Sequence, residues 1–342
     1  MIGRDREPPS RYAQLRDATR DERERNLPWV VAQLDRDPTE QVAALELLGY
    51  WGEMCRQRVG RDVAEEVARL VGSTDDVVRK EACTTLALLR TEGEFDASRQ
   101  LIGALGDPSA QVRQEAAAAL GDLRVEGARG ALRRHLDDRH PAVRFEAAYA
   151  LSALDDASGR AVLEEALGSP AFRAFAIEGL RRLGDAGAVP ALLKLARAWT
   201  TPWPEQLAAR AAAAFLGDAR AAAELERRAT RGRLEVRAYA VYLVGHARLR
   251  SSKPVVDALA DDPRSKLRAT AVQALAKFEL PEDDARLEAW LLDERAPSDV
   301  RLEALDALDE RGRAADIQRW LDEGQFDAVP DLRERAVSVA VA

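Results

Sequence analysis

The chain has 342 residues, 46% hydrophobic and 32% charged, with a formal net charge of −8. It is too apolar for a disordered chain and too charged for a membrane-embedded one. Three His and two Cys exclude a His-rich metal cage or a disulfide scaffold. The acidic balance also argues against phosphate backbone as ligand, so no nucleic-acid partner is expected.

Residues 1–26 read MIGRDREPPSRYAQLRDATRDERERN. They contain no apolar h-region, which predicts no secretory signal and a cytoplasmic location. Ser10 is expected to cap a charged helix ending near Asn26. The segment reads as a charged N-terminal arm, or as a capping helix docked through Tyr12 and Leu15. No stretch approaches the ~18 uncharged apolar residues of a membrane helix, so no membrane partner is expected. Cys55 and Cys83 are predicted to be free thiols.

From residue 27 to 342 one phrase returns: an Asp-rich turn, an apolar residue and Arg, then Ala at fixed offsets and Leu. Examples are DPSAQVRQEAAAAL (107–120), DRHPAVRFEAAYAL (138–151) and DPRSKLRATAVQAL (262–275). The repeated Arg stands at Arg79, Arg113, Arg144, Arg173, Arg237, Arg268, Arg301 and Arg333, at intervals of 29–34 residues apart from one of 64. That long interval holds a degenerate unit at 206–218, and a second lies at 37–49, which predicts about ten units of ~32 residues. Each unit reads as two helices. The first is short and amphipathic, as in AVPALLKLA (188–196), PVVDALA (254–260) and LEAWLLDE (287–294). The second begins near the repeated Arg; around Arg113, the residues Val112, Ala116, Leu120 and Leu123 share a face. Asp-Pro at 37–38, 107–108 and 262–263 is expected to turn directly into a helix, Asp accepting free N–H groups and Pro taking an early helical position. No β-branched run alternates with period two, so the fold class is an all-α solenoid. The repeated Arg residues are assigned a structural role, pairing with turn carboxylates such as Asp76, Asp107, Asp138, Asp262 and Asp299.

The Asp turn, the Val-Arg pair and the Ala-Ala-x-Ala-Leu-Gly run, clearest from Asp107 to Gly121, resemble the HEAT-repeat family in its short bacterial, phycobilisome bilin lyase-like form. The resemblance covers roughly residues 27–342 and is specific for fold. It implies a right-handed α-α superhelix of the HEAT/armadillo type with second helices on the concave side. It also implies an alternative function, as a bilin lyase-like or enzyme-associated subunit. Deoxyhypusine hydroxylases, which resemble this fold, bind iron through His-Glu pairs; no His here is followed by Glu.

Catalytic signatures are missing from the sequence: neither GxGxxG nor GxxxxGK[ST] is present, and no Ser sits in GxSxG. The chain is therefore read as non-catalytic, without cofactor or metal. His135 and His140 are expected to bond locally at a turn. Glu81, Glu115, Glu146 and Glu303 stand two residues after the repeated Arg and read as a solvated or salt-bridging helix edge. With the residue before Arg and the third after it buried, positions one, two, five and nine after it face outward. Most are polar: Lys80, Gln114, Asp122, Gln273, Lys277, Asp306 and Glu334. In the middle of the array they become aromatic. Phe145, Tyr149, Phe175, Tyr239 and Tyr242 are predicted to project toward one partner-binding surface, with Glu178 and His246 as polar handles at its edge. In ARAWTTPWPEQ (196–206), Trp199 and Trp203 read as helix-end covers or as an exposed loop joining that surface. The expected function is a protein-interaction scaffold for a protein or peptide partner; oligomeric state is not legible from these residues.

Overall fold

A computed structural model describes residues 11–341, so Ser10 lies outside the described residues. The chain forms two compact units, with the boundary between Leu183 and Gly184. Each unit is an all-α solenoid segment of five helix pairs. In the first, the pairs are Arg20–Gln33 with Pro38–Glu53, Arg61–Leu70 with Asp76–Leu88, Ser98–Ala104 with Ala110–Asp122, Arg129–Arg134 with Pro141–Ala153, and Arg160–Ala166 with Arg173–Leu183. In the second they are Val189–Arg197 with Trp203–Phe215, Ala219–Thr230 with Leu234–His246, Lys253–Asp261 with Arg268–Ala276, Asp284–Leu292 with Ser298–Glu310, and Ala314–Asp322 with Pro330–Val341. One irregularity among the described residues breaks the helical pattern: Arg58–Val59 pairs in parallel with Arg90–Thr91.

A single helix pair cannot bury enough surface to stand alone, so each depends on its neighbours. The second helices pack on one another because their contact residues are Ala and Gly. An added Cβ at Gly121 would lie 2.8 Å from Ala150 Cα, and one at Gly245 would lie 2.5 Å from Ala274 Cα. Val112, Ala116 and Leu120 are fully buried as the spacing predicts; Leu123, at the helix end, is 41% exposed and leaves that face. Beyond most second helices the chain reverses through one left-handed residue, among them Arg124, Asp155, Gly217, Arg248 and Gly312.

A helix Arg11–Arg16 packs ahead of the first pair. Leu15 is buried, and its carbonyl accepts the Trp51 indole N–H at 3.1 Å. The Tyr12 hydroxyl donates to the Glu40 carboxylate at 2.6 Å. Burial, then Glu40, push the Tyr12 phenol above its ordinary range. Arg20–Gln33 runs continuously through the expected boundary at residue 26.

The repeated Arg is a staple within and between repeats. Arg113, 6% exposed, holds Asp138 of the next unit in a fork, Nε to Oδ2 at 2.8 Å and Nη2 to Oδ1 at 3.0 Å. Its Nη1 donates to the Asp107 and Pro108 carbonyls of its own turn. Arg79 grips Asp107 in the same way. Asp76, Asp262 and Asp299 do not join this ladder as expected. Asp262 accepts the Arg264 N–H and Asp299 the Val300 N–H. Arg144, Arg173, Arg237, Arg268 and Arg301 bond turn carbonyls, at Asp138, Leu167, Ala229, Ala260 and Leu291 respectively. Arg333 pairs with Asp327 at the surface. In the degenerate units Gln takes the position: Gln41 donates to the Leu34 carbonyl, and Gln206 to those of Ala198 and Thr201. A carbonyl needs only a neutral donor, so the amide suffices where no carboxylate has to be held.

The Asp-Pro turns also differ from expectation. Only Asp37-Pro38 turns directly into a helix, with Asp37 accepting the Thr39 and Glu40 N–H groups. At 107–108 Ser109 intervenes before the helix, and at 262–263 the helix starts only at Arg268.

Candidate functional site: an aromatic cleft in the first unit

Three successive second helices, Ala110–Asp122, Pro141–Ala153 and Arg173–Leu183, enclose a cavity of about 380 Å³. Its floor is cut by small residues, Ala118, Gly121, Ala150 and Ala153, where larger side chains would fill the space. Its walls are rings. Phe145 stacks on Phe172 at 4.5 Å and on Tyr149 at 6.0 Å, and Tyr149 meets the edge of Phe175 at 6.0 Å. Phe175 stands at the mouth, 56% exposed.

Three charged groups line the same space: Asp122, Glu146 and Arg182. The Arg182 guanidinium lies over the Tyr149 ring, 5.0 Å from its centroid, and donates to the Tyr149 hydroxyl at 3.3 Å. Glu146 accepts one hydrogen bond, from the Gln114 amide at 3.5 Å. Burial, then the charges of Glu115 and Asp122, push its carboxyl up to about 7, against the pull of Gln114. Desolvation also raises Asp122, which is exposed at the cleft, and Arg182 opposes it.

The sign of the Glu146 shift gives a stability prediction. A carboxyl whose folded value lies above its unfolded ~4.3 favours folding while protonated; that contribution is lost as pH rises through 7. Glu146→Gln removes the charge with little change of shape. It should raise the melting midpoint by a few degrees at pH 8, on the order of 2 kcal/mol, and change little near pH 5. Paired thermal scans of the two proteins check this; equal shifts at both pH values would refute it.

The expected partner surface divides between the two units. Phe145, Tyr149, Phe175 and Glu178 belong to the first. Phe145 does not project as expected: it is 3% exposed, clamped by Phe172, and serves as a wall. Tyr149 is half-buried and wedged against Gly179, where an added Cβ would meet its ring at 3.2 Å. Glu178 is not a free handle, because both its oxygens hold Arg181, at 2.6 and 2.8 Å.

In the second unit Trp203 meets the edge of Tyr239 at 5.8 Å. Tyr239 stacks on Tyr242 at 5.9 Å, and Tyr242 on the exposed His246 at 5.4 Å. Trp199 stands apart from this row, 91% exposed.

Sequence reasoning missed Phe172, Glu146, Asp122 and Arg182 as parts of the cleft. Phe172 had a legible signal. It occupies the position before the repeated Arg, where Val78, Val112 and Val143 are fully buried. Phe172 instead precedes the helix Arg173–Leu183, is half-buried, and rests against Phe145. Glu146 sits in a column of repeated carboxylates, and that repetition hid it. His135 bonds locally on one side only: one ring nitrogen lies 2.9 Å from the Ala131 carbonyl, and the other 2.7 Å from the carbonyl of Leu105, 30 residues away.

Residues 98–171 and 232–309 match the family model for HEAT repeats. No curated protein matches the chain. Among solved structures it is similar to the complex of CpcE and CpcF of phycocyanin lyase from Nostoc sp. PCC7120, at 22% identity over 73% of this chain and 95% of that one, with a TM-score of 0.42. Human deoxyhypusine hydroxylase in complex with glycerol is 22% identical over 73% of this chain and 96% of its own, with a TM-score of 0.30. Importin beta is 12% identical over 87% of this chain and 48% of its own, at 0.45. None of these three reaches a TM-score of 0.5, and none says what this chain binds.

Proposed function

We propose that this chain, which belongs to the HEAT-repeat family, is a non-catalytic scaffold that seats a segment of a partner protein in the aromatic cleft of its first unit. The observation that carries this is Phe175: a large ring more than half exposed at the mouth of a cavity whose other rings are braced by one another. An aromatic anchor beside a preformed concave site is the usual make-up of a binding hot spot. The repeated Arg residues are occupied with turn carbonyls and carboxylates, which supports a structural role for them. The row Trp203, Tyr239, Tyr242 and His246, with Trp199 nearby in sequence, offers a second contact strip in the other unit.

The test replaces Phe175 by Ala. Because the ring is largely exposed, the melting midpoint should stay within about 2 °C of the parent. Proteins captured by the full chain would be identified by cross-linking mass spectrometry, with cross-links expected to residues 145–182. The main partner should be lost from Phe175→Ala. Full retention would overturn the reading. Loss with Tyr242→Ala alone would move the docking surface to the second unit.

A further inference from the structure

We infer that the occupant of the cleft is a cationic side chain, a lysine or arginine on a basic segment of the partner. This rests on reading the cleft as a docking site, and it follows from the walls. The face of an aromatic ring carries the negative end of its quadrupole and attracts a desolvated ammonium or guanidinium. Tyr149, Phe172 and Phe175 bring three partly or largely exposed rings to one small space, with Phe145 covered behind Phe172. The cleft already accommodates one such contact, since the Arg182 guanidinium rests on Tyr149.

Glu146 marks where the incoming charge would go. Three enclosed carboxylates in this unit are met by a guanidinium, Asp107 by Arg79, Asp138 by Arg113 and Asp156 by Arg133, while Glu81 meets Lys80 and Glu115 accepts the Thr84 hydroxyl. Glu146 has only the Gln114 amide at 3.5 Å. The charged groups around it come from the two flanking helices. Glu115 and Asp122 lie on Ala110–Asp122, and Glu178, Arg181 and Arg182 on Arg173–Leu183. Glu178 pairs with Arg181 at 2.6 Å and lies 4.0 Å from Arg182, so Glu115, Asp122 and Glu146 are left with a guanidinium that is already shared. A cation reaching Glu146 would form the ion pair that is missing there.

Size points the same way. At about 380 Å³ the cavity is near the lower end of small-ligand sites, ~300–1,000 Å³, and suits one long side chain. The net charge of −8 would draw a basic segment toward the protein. Because Glu146 holds its proton up to about pH 7, a bound cation would expel that proton, and affinity would rise with pH across neutrality.

The experiment pans a library of random ten-residue peptides on the full chain at pH 8, with counter-selection on the Phe175→Ala protein. Enriched peptides should share a Lys or Arg at one position. Fluorescence anisotropy on the best peptide should show about tenfold weaker binding when that residue is replaced by norleucine or citrulline, and similarly for Glu146→Gln. Binding to the parent should weaken several-fold from pH 8 to pH 6, and much less so for Glu146→Gln. Thermal scans confirm that both variants are folded. A shared apolar or acidic position would overturn the cation inference and leave docking in the cleft intact. Failure to find any peptide that distinguishes the parent from Phe175→Ala would overturn both.

Discussion

Replacing Arg113 by Ala is expected to destabilise the first unit by about 3–5 kcal/mol, among the largest effects of any single surface-to-core truncation in the chain. The side chains of Arg113 and Asp138 are only 8% and 9% exposed. Truncation leaves the Asp138 carboxylate enclosed without a cation, and the Asp107 and Pro108 carbonyls lose a donor. Changing both partners to apolar residues, Arg113→Met with Asp138→Leu, should cost much less, because no charge is then stranded. Urea unfolding followed through Trp29 and Trp51, the two tryptophans of this unit, measures both. Equal losses in the single and double variants would show that packing, not the ion pair, is at stake. Hydrogen bonds from the ladder guanidinium groups hold Asp107 and Asp138 below the usual carboxylate range. Their contribution is therefore full above the unfolded ~3.9 and is lost as pH falls through the lower folded values. Arg113→Ala should remove the Asp138 part of this acid sensitivity.

Gly245→Val should be as damaging in the second unit, at roughly 3 kcal/mol or more. The first added carbon would stand 2.5 Å from Ala274 Cα and 2.6 Å from the Ala274 carbonyl oxygen. These are backbone atoms, so no side-chain rotation relieves the clash and two second helices must separate. Gly103→Ala is the contrast. Nothing lies within 4 Å of its added Cβ, and the residue is in the helix Ser98–Ala104, so a gain of about 0.5–1 kcal/mol is expected. Thermal unfolding of the two variants side by side decides the matter; a mild Gly245→Val would mean that the stack yields more readily than a close-packed interior should.

The sequence by itself determined the helix pairs, their number and the position of the repeated Arg. These are local matters: a 3.6-residue apolar pattern, an Asp turn and a donor at a fixed offset recur whatever the neighbours are. The partners of the Arg ladder were legible for Arg79 and Arg113; Asp262 stands in the turn after Arg237 and yet Arg237 bonds a carbonyl, and Gln41 and Gln206 take the place of Arg in the degenerate units. Tertiary structure decided the cleft. Phe145 and Phe175 occupy outward positions by the same helical wheel, yet one is 3% and the other 56% exposed. The difference comes from Phe172, whose ring stacks on Phe145 and covers it. Glu146 is pushed up to about 7 because its own neighbours enclose it and set two like charges beside it, which its place in the column does not encode. A repeat specifies which face a residue takes; how deeply that residue is enclosed depends on side chains about 30 residues away in either direction, which no single unit encodes.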